Sequence, residues 1–220
     1  MLTKRTVLFG EYNTAAKGWT LAKCQLAEAS QKTNYVEKKL GDGSWDLSTV
    51  LTDGLPRYKN RNLTVTLECS EGTRNDRLQL VSEIVNQLDG FEHHIVLPDH
   101  PDHYLVGRLH VKVNYNDLAH ASVTVTSSCL PWYYRQAETV VNLNATGTER
   151  GTNIVNNGRL AIVPTLEAVG SVLLKYGTNS INVTDSTTKW PTLLLTPGSH
   201  AVKYSGEGTL KIKYREAVLE

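Results

Sequence analysis

A mostly β fold with a single helix is predicted for this chain by three features: period-two alternation of apolar residues, one isolated stretch of helical spacing, and a glycine-punctuated second half. Leu63, Val65 and Leu67 alternate with Thr64, Thr66 and Glu68, and Leu109, Val111 and Val113 alternate with His110, Lys112 and Asn114. Val123 and Val125 continue the pattern between threonines, so these segments read as half-buried strands rich in β-branched residues. Leu78, Val81, Ile84, Val85 and Leu88 instead recur at three- and four-residue spacing. Asn75 or Asp76 is the expected N-cap and Gly90 the expected stop, giving one helix that covers a sheet.

The second half reads as short strands at 139–144, 159–163, 171–176, 180–184, 192–195, 200–204 and 209–214. Gly147, Gly158, Gly170, Gly177, Gly198 and the Gly206-Glu207-Gly208 run separate them. Strands at spacings of about 8 to 12 residues point to a β-sandwich. Pro131, inside Cys129-Leu130-Pro131-Trp132, stops ladder pairing, so the expected domains are 1–131 and 132–220.

Tyr35, Val36 and Leu40 read as a strand, Gly41-Asp42-Gly43 as a turn able to take positive φ, and Trp45-Asp46-Leu47 as the returning strand. This hairpin arm has no nucleophile beside a base. It is followed by Arg57, Tyr58, Lys59 and Arg61 behind Pro56, and Arg and Tyr are favoured in interface hot spots. Tyr35, Gly41, Asp42, Gly43, Trp45, Arg57, Tyr58 and Arg61 are therefore the candidate inter-subunit residues.

Composition narrows the function classes. Twenty-three Lys and Arg stand against twenty-two Asp and Glu, a formal charge of +1, which argues against a dedicated nucleic-acid reader. A hydrophobic content of 40% supports a real core. Cys24, Cys69 and Cys129 form no metal-ribbon or disulfide pattern and read as buried, reduced thiols. The start, Met1 to Gly10, has charge but too short an apolar run for a signal peptide, and no run reaches the roughly 20 apolar residues of a membrane span.

Candidate chemistry is sparse. His93, His94, His100 and His103 are interleaved with Glu92, Asp99 and Asp102, and Asp99-His100-Pro101-Asp102-His103 is the best metal candidate. Adjacent histidines on a strand point to opposite faces, so no metal and no cofactor are expected. No nucleophile elbow, zinc-protease helix or phosphate loop occurs, and no enzymatic activity is expected. Trp132, Tyr133, Tyr134 and Trp190 form either interdomain packing or a platform for a glycan, which keeps a lectin-like reading open.

An ordered set of segments adds a resemblance. Thr33-Asn34-Tyr35-Val36-Glu37, Gly41-Asp42-Gly43-Ser44 with Asp46-Leu47-Ser48, and Tyr58-Lys59-Asn60-Arg61 leading into Leu63-Thr64-Val65-Thr66-Leu67 form its first part. Asp102-His103-Tyr104-Leu105-Val106-Gly107-Arg108 and Cys129-Leu130-Pro131-Trp132 follow. Together they resemble the N-terminal half of the distal tail (Dit) proteins of long-tailed, non-contractile phages. Asn157-Gly158 with Ala161 to Glu167, Leu195 to His200, and Gly206 to Arg215 resemble that family's galectin-like C-terminal sandwich. The resemblance implies an N-terminal ring-forming β domain and six copies around the DNA channel at the virion tail tip. Its implied partners are further copies, the tail tube protein, a tail-associated fibre or spike protein and a receptor-binding protein, with synthesis in the host cytoplasm.

Overall fold

In the computed structural model, which describes residues 5–52, 54–114 and 120–219, the protein is mostly β with one helix. The chain divides into two compact units, the first ending at Pro131 and the second running from Trp132 to Leu219. Met1 to Lys4, part of the start read for a signal peptide, lie outside the described residues. Among the described residues no helix is long and apolar enough to cross a membrane.

The first unit contains β1 (Leu8–Phe9), β2 (Tyr12–Asn13), β3 (Thr20–Leu26), β4 (Tyr35–Glu37), β5 (Ser44–Asp46), β6 (Arg61–Cys69), α1 (Arg74–Leu88), β7 (Glu92–Val96), β8 (His103–Asn114) and β9 (Ala121–Cys129). Seven of the strands join antiparallel in the order β2-β1-β7-β8-β9-β6-β3. The alternation seen in the sequence sets the inward face: Val65, Val125 and Val111 stand in one row, Leu67, Val123 and Val113 in the next. The helix lies against β8 and β9 and places Ile84 and Leu88 in the core. Each fully buried aliphatic side chain of this kind contributes about 1.5 to 3 kcal/mol.

The helix begins earlier than the spacing predicts. Thr73, rather than Asn75 or Asp76, is the N-cap; its hydroxyl accepts the Asp76 N–H at 3.3 Å while the Asp76 carboxylate accepts the Thr73 N–H at 2.8 Å. That reciprocal capping box satisfies two orphan donors, and the Thr73 backbone hydrogen bond holds the Asp76 carboxyl below its ordinary value. Gly90, at φ +82°, ends the helix as expected.

The second unit contains β10 (Tyr133–Arg135), β11 (Thr139–Thr146), β12 (Arg150–Asn156), β13 (Thr165–Tyr176), β14 (Asn179–Thr184), β15 (Thr187–Lys189), β16 (Gly198–Tyr214) and β17 (Ala217–Val218). Six of these make one antiparallel sheet, and it differs from the sequence reading in its glycines. Gly170, Gly206 and Gly208 lie within the long strands β13 and β16, not between short ones. The first half of β16 pairs with β12 and its second half with β11, while β13 pairs along both halves. All three glycines have positive φ, and a Cβ added to them would stand 2.5, 2.3 and 2.2 Å from the Glu207, Ser171 and Val169 carbonyl oxygens, respectively. These positions share the parity of the inward-facing Val172, Val202 and Leu210, so the sheet turns a corner where only glycine fits. Around that corner Leu143, Ile154, Leu166, Leu174, Leu193 and Leu195 close a separate core. The segments expected as strands at 159–163 and 192–195 contribute only an isolated Ile162–Leu195 bridge.

Candidate interaction surfaces

The hairpin arm is an extension of the β3–β6 pair. Leu26 stands opposite Leu63, the Ala27 N–H donates to the Asn62 carbonyl, and a stem follows in which Lys59 N–H donates to Ser30 O and Lys32 N–H to Arg57 O, each at 2.8 Å. Beyond the stem, and among the described residues, β4 and β5 pair only with each other. Gly43 takes the positive φ the turn requires, whereas Leu40, expected in the strand, belongs to the turn. Asp46 accepts the Ser48 N–H at 2.9 Å and the Ser48 hydroxyl accepts the Asn34 N–H at 2.8 Å. Hydrogen bonding to Asp46 from the Ser48 side chain foremost, and then from the Ser48 N–H, holds the Asp46 carboxyl low.

Every residue from 31 to 47 is exposed. Among them Tyr35 and Trp45 are 61% exposed and Leu40 fully so, with Val50 and Leu51 open just beyond. The Lys38 ammonium sits 4.9 Å from the centroid of the Trp45 ring. A two-stranded hairpin alone in water is marginal at best, and register sets the exposed Val36 and Trp45 side by side on one of its faces. Leu40, read from sequence as strand, and Val50 and Leu51 were not among the interface candidates.

The remaining interface candidates separate. Arg57 is exposed at the stem and Tyr58 is half-buried, bridging to Gln31. Arg61 is only 5% exposed, with its Nε donating to the Ala27 carbonyl at 2.7 Å. Its guanidinium braces the root of the arm from within its own subunit, which corrects its reading as a surface contact.

The face of β3, β6, β9 and β8 opposite the core is polar throughout its centre. Register places Asn62, Ser128 and Arg108 in one row, Gln25, Thr64, Thr126 and His110 in the next, and Lys23, Thr66, Thr124 and Lys112 in a third. An open cleft of about 400 Å³ lies along the first two rows. Asp89 accepts the Val111 N–H at 2.8 Å and contacts His110 Nδ1 at 3.0 Å, and the first of these bonds dominates in holding its carboxyl low.

The other candidates lie apart. His94 stacks on Tyr104 with centroids 4.2 Å apart, whereas the Nδ1 of His93 packs against Gly10. Among the described residues no three His, Cys, Asp or Glu side chains converge as a metal cluster. Cys69 and Cys129 are buried free thiols, and Cys24 is a half-buried one whose pKa burial pushes up. Tyr133 is buried and pairs with Val218, Tyr134 pairs with Ala217, and Trp190 leans on the second core. Glu216, the one buried carboxylate among the described residues, accepts from Asn157 N–H and Nδ2 and pairs with Arg135 at 3.1 Å. It is a structural hub rather than a poised acid.

No protein-family model matches the chain, and no curated protein sequence is detectably similar to it. Solved structures do match. The Dit protein of phage SPP1, presented as a paradigm of the hub adsorption apparatus of phages infecting Gram-positive hosts, superposes with a TM-score of 0.68 at 13% identity, over 96% of this chain and 98% of that one. Chains of the phage P2 baseplate in its activated conformation, with Ca and with Sr, align over the same shares at TM-scores of 0.46 and 0.39 and identities of 10% and 9%. Over nearly its whole length, therefore, this chain has the fold of the SPP1 Dit protein.

Proposed function

We propose that this protein is a structural subunit of a phage tail tip. Six copies form a closed ring that surrounds the DNA channel and connects the tail tube protein to the fibre or spike apparatus. The observation that carries the reading is the exposed hairpin arm, with Tyr35, Val36, Leu40 and Trp45 open to solvent, on a chain whose fold is that of a tail hub protein. In a rotational ring each subunit uses two different surfaces, so an arm reaching its neighbour joins successive copies without a symmetric patch. The first unit builds the ring and the second faces the adhesion components. Its place is the virion tail tip, after synthesis in the host cytoplasm, and no catalytic step is assigned to it.

Native mass spectrometry of the purified chain tests this. A species of six times the 24.4 kDa subunit mass is the expected result. A protein that stays monomeric at all concentrations and binds glycan arrays would overturn it in favour of a lectin.

A further inference from the structure

We infer that Asn157-Gly158 is a deamidation site gated by the fold: the amide is protected while the C-terminal segment is seated against it, and release of that segment converts position 157 irreversibly to a carboxylate that hinders reseating. This is a property of the single subunit and stands apart from the ring reading.

Asn-Gly is the dipeptide in which an asparagine side chain cyclises most readily, because glycine leaves the following peptide nitrogen unhindered and the backbone free to turn, and it occurs once in this chain. In the reaction the Gly158 N–H gives its proton to hydroxide and the nitrogen attacks Asn157 Cγ. The new N–Cγ bond closes a succinimide, the Cγ–Nδ2 bond breaks, and Nδ2 takes a proton from water and leaves as ammonia. Water then opens the ring at either carbonyl, giving aspartate or isoaspartate. Water is the one co-reactant.

The folded chain holds both reacting groups away from this path. The attacking nitrogen is engaged: Gly158 is buried and its N–H donates to Asn156 Oδ1 at 2.9 Å. Asn156 is itself 1% exposed and fixed by Nδ2, which donates to the Leu160 and Leu195 carbonyls at 2.8 Å each. The leaving amide is engaged too, since Asn157 Nδ2 and the Asn157 N–H both donate to Glu216 Oε1, at 3.0 and 3.2 Å. Behind them lies the C-terminal segment. The Arg159 and Leu160 N–H groups donate to the Ala217 carbonyl, and a Cβ at position 158 would stand 2.7 Å from Ala217 N and O. The close approach therefore demands glycine, and the seat on Glu216 uses an amide, so the fold itself installs the labile dipeptide. Cyclisation requires the Asn157 side chain to leave Glu216 and Gly158 to leave Asn156, which means lifting residues 216–218 off the loop.

Conversion also opposes closure. Glu216 is 6% exposed, with Arg135 as its cation at 3.1 Å. An acid at position 157 removes the Nδ2 donor and sets a second negative charge within hydrogen-bond distance of the first. Isoaspartate further lengthens the backbone between Asn156 and Gly158. The pairing of β17 with β10, at Tyr133↔Val218 and Tyr134↔Ala217, hangs on the same segment and is weakened with it.

The whole chain, folded and in guanidinium, is incubated in mildly alkaline buffer, and position 157 is followed by peptide mass mapping and isoaspartyl methyltransferase labelling. The folded protein is expected to deamidate there at least about tenfold more slowly, as for a site that reacts only from a locally opened state. Glu216→Gln and Arg135→Ala, each checked for a wild-type circular dichroism spectrum, are expected to accelerate the folded rate several-fold; Arg135 is half exposed, so its variant decides if the other fails to fold. Asn157→Asp mimics the product. It is expected to speed hydrogen exchange of the Arg135 N–H, which donates to the Glu216 carbonyl at 2.9 Å, while exchange in β13 and β16 stays as in wild type. Equal rates in the folded and denatured chains, or no acceleration in a folded Arg135→Ala, would overturn the gating. Unchanged exchange at Arg135 in Asn157→Asp would overturn the effect on closure.

Discussion

Substituting Trp45 by alanine separates assembly from folding. The side chain is 61% exposed and lies on a two-stranded sheet that, among the described residues, pairs with no other strand, so its removal takes little from the folded subunit. Surface changes of this kind are usually within about 0.5 kcal/mol, and the Lys38 contact it loses is itself exposed. In the ring the same ring face is expected to be covered. An aromatic residue presents about 200 Å² when fully open, so roughly 120 Å² is available here, worth about 3 kcal/mol at about 25 cal/mol per Å². Allowing for the ordering of side chains on association, about 2 kcal/mol per interface remains, or roughly 30-fold in each pairwise association constant. At concentrations where both are monomeric the thermal midpoint of Trp45→Ala should match wild type within about 2 °C, while at higher concentrations sedimentation velocity shows the ring dissociating where wild type is intact. A lowered midpoint of the monomer, or a ring of undiminished stability, refutes the assignment of Trp45 to an interface.

Three further outcomes follow from the geometry. Gly208→Ala drives a Cβ toward the Val169 carbonyl, 2.2 Å away, at φ +143°, and should destabilise the second unit by about 3 kcal/mol or more in guanidinium unfolding. Arg61→Ala removes a buried guanidinium and strips its hydrogen bond from Ala27, so it should lower the melting midpoint by about 2 to 3 kcal/mol equivalent, whereas Arg57→Ala at the exposed stem should not. Tyr12 has its pKa raised to about 12, chiefly by burial, and accepts the Trp19 indole N–H at 2.9 Å. Its stabilising effect is complete below pH 10 and is lost as pH rises toward 12, so alkaline unfolding followed by Trp fluorescence should begin in that window and be shallower in Tyr12→Phe.

What the sequence disclosed and what it hid divide along physical lines. The strands at β6, β8 and β9 were legible because one face is core and the other solvent, which forces strict alternation. The arm was legible because a tight turn advertises itself locally through Gly43. The glycines of the second unit were misread because Gly170, Gly206 and Gly208 serve a long-range contact between β13 and β16, and composition alone cannot distinguish a corner from a turn. β12 escaped notice for a related reason: Arg-Gly-Thr-Asn-Ile-Val-Asn has poor strand propensity and forms because β16 offers it a partner about fifty residues away. Arg61 looked like a surface residue because its acceptor, Ala27, is 34 residues distant in sequence. The helix cap was missed although its signal is local: Asn75 or Asp76 was the expected cap, whereas Thr73 three residues before Asp76 has the capping-box spacing.

The arm and the β3 edge belong to one hairpin, and this permits a test that removes one while sparing the other. Leu26 and Leu63 are directly opposed and Ala27 N–H already donates to Asn62 O, so residues 29–60 can be replaced by a short Asn-Gly-type turn without altering the β3–β6 register. Such a variant loses Tyr35, Leu40, Trp45, Val50 and Leu51, all exposed, and none of the buried side chains of either core. Its unfolding free energy should equal or exceed that of wild type, because an isolated hairpin contributes almost nothing to the cooperative unit and the ordering entropy of its chain is no longer required. If the arm grips the neighbour, the shortened chain no longer forms the ring, yet its β3 edge remains open and should make the variant more prone to irregular strand-mediated association at high concentration. A shortened chain that still closes into six-fold rings would place the contact elsewhere on the first unit and leave the exposed Leu40 and Trp45 of the arm to grip a different tail component.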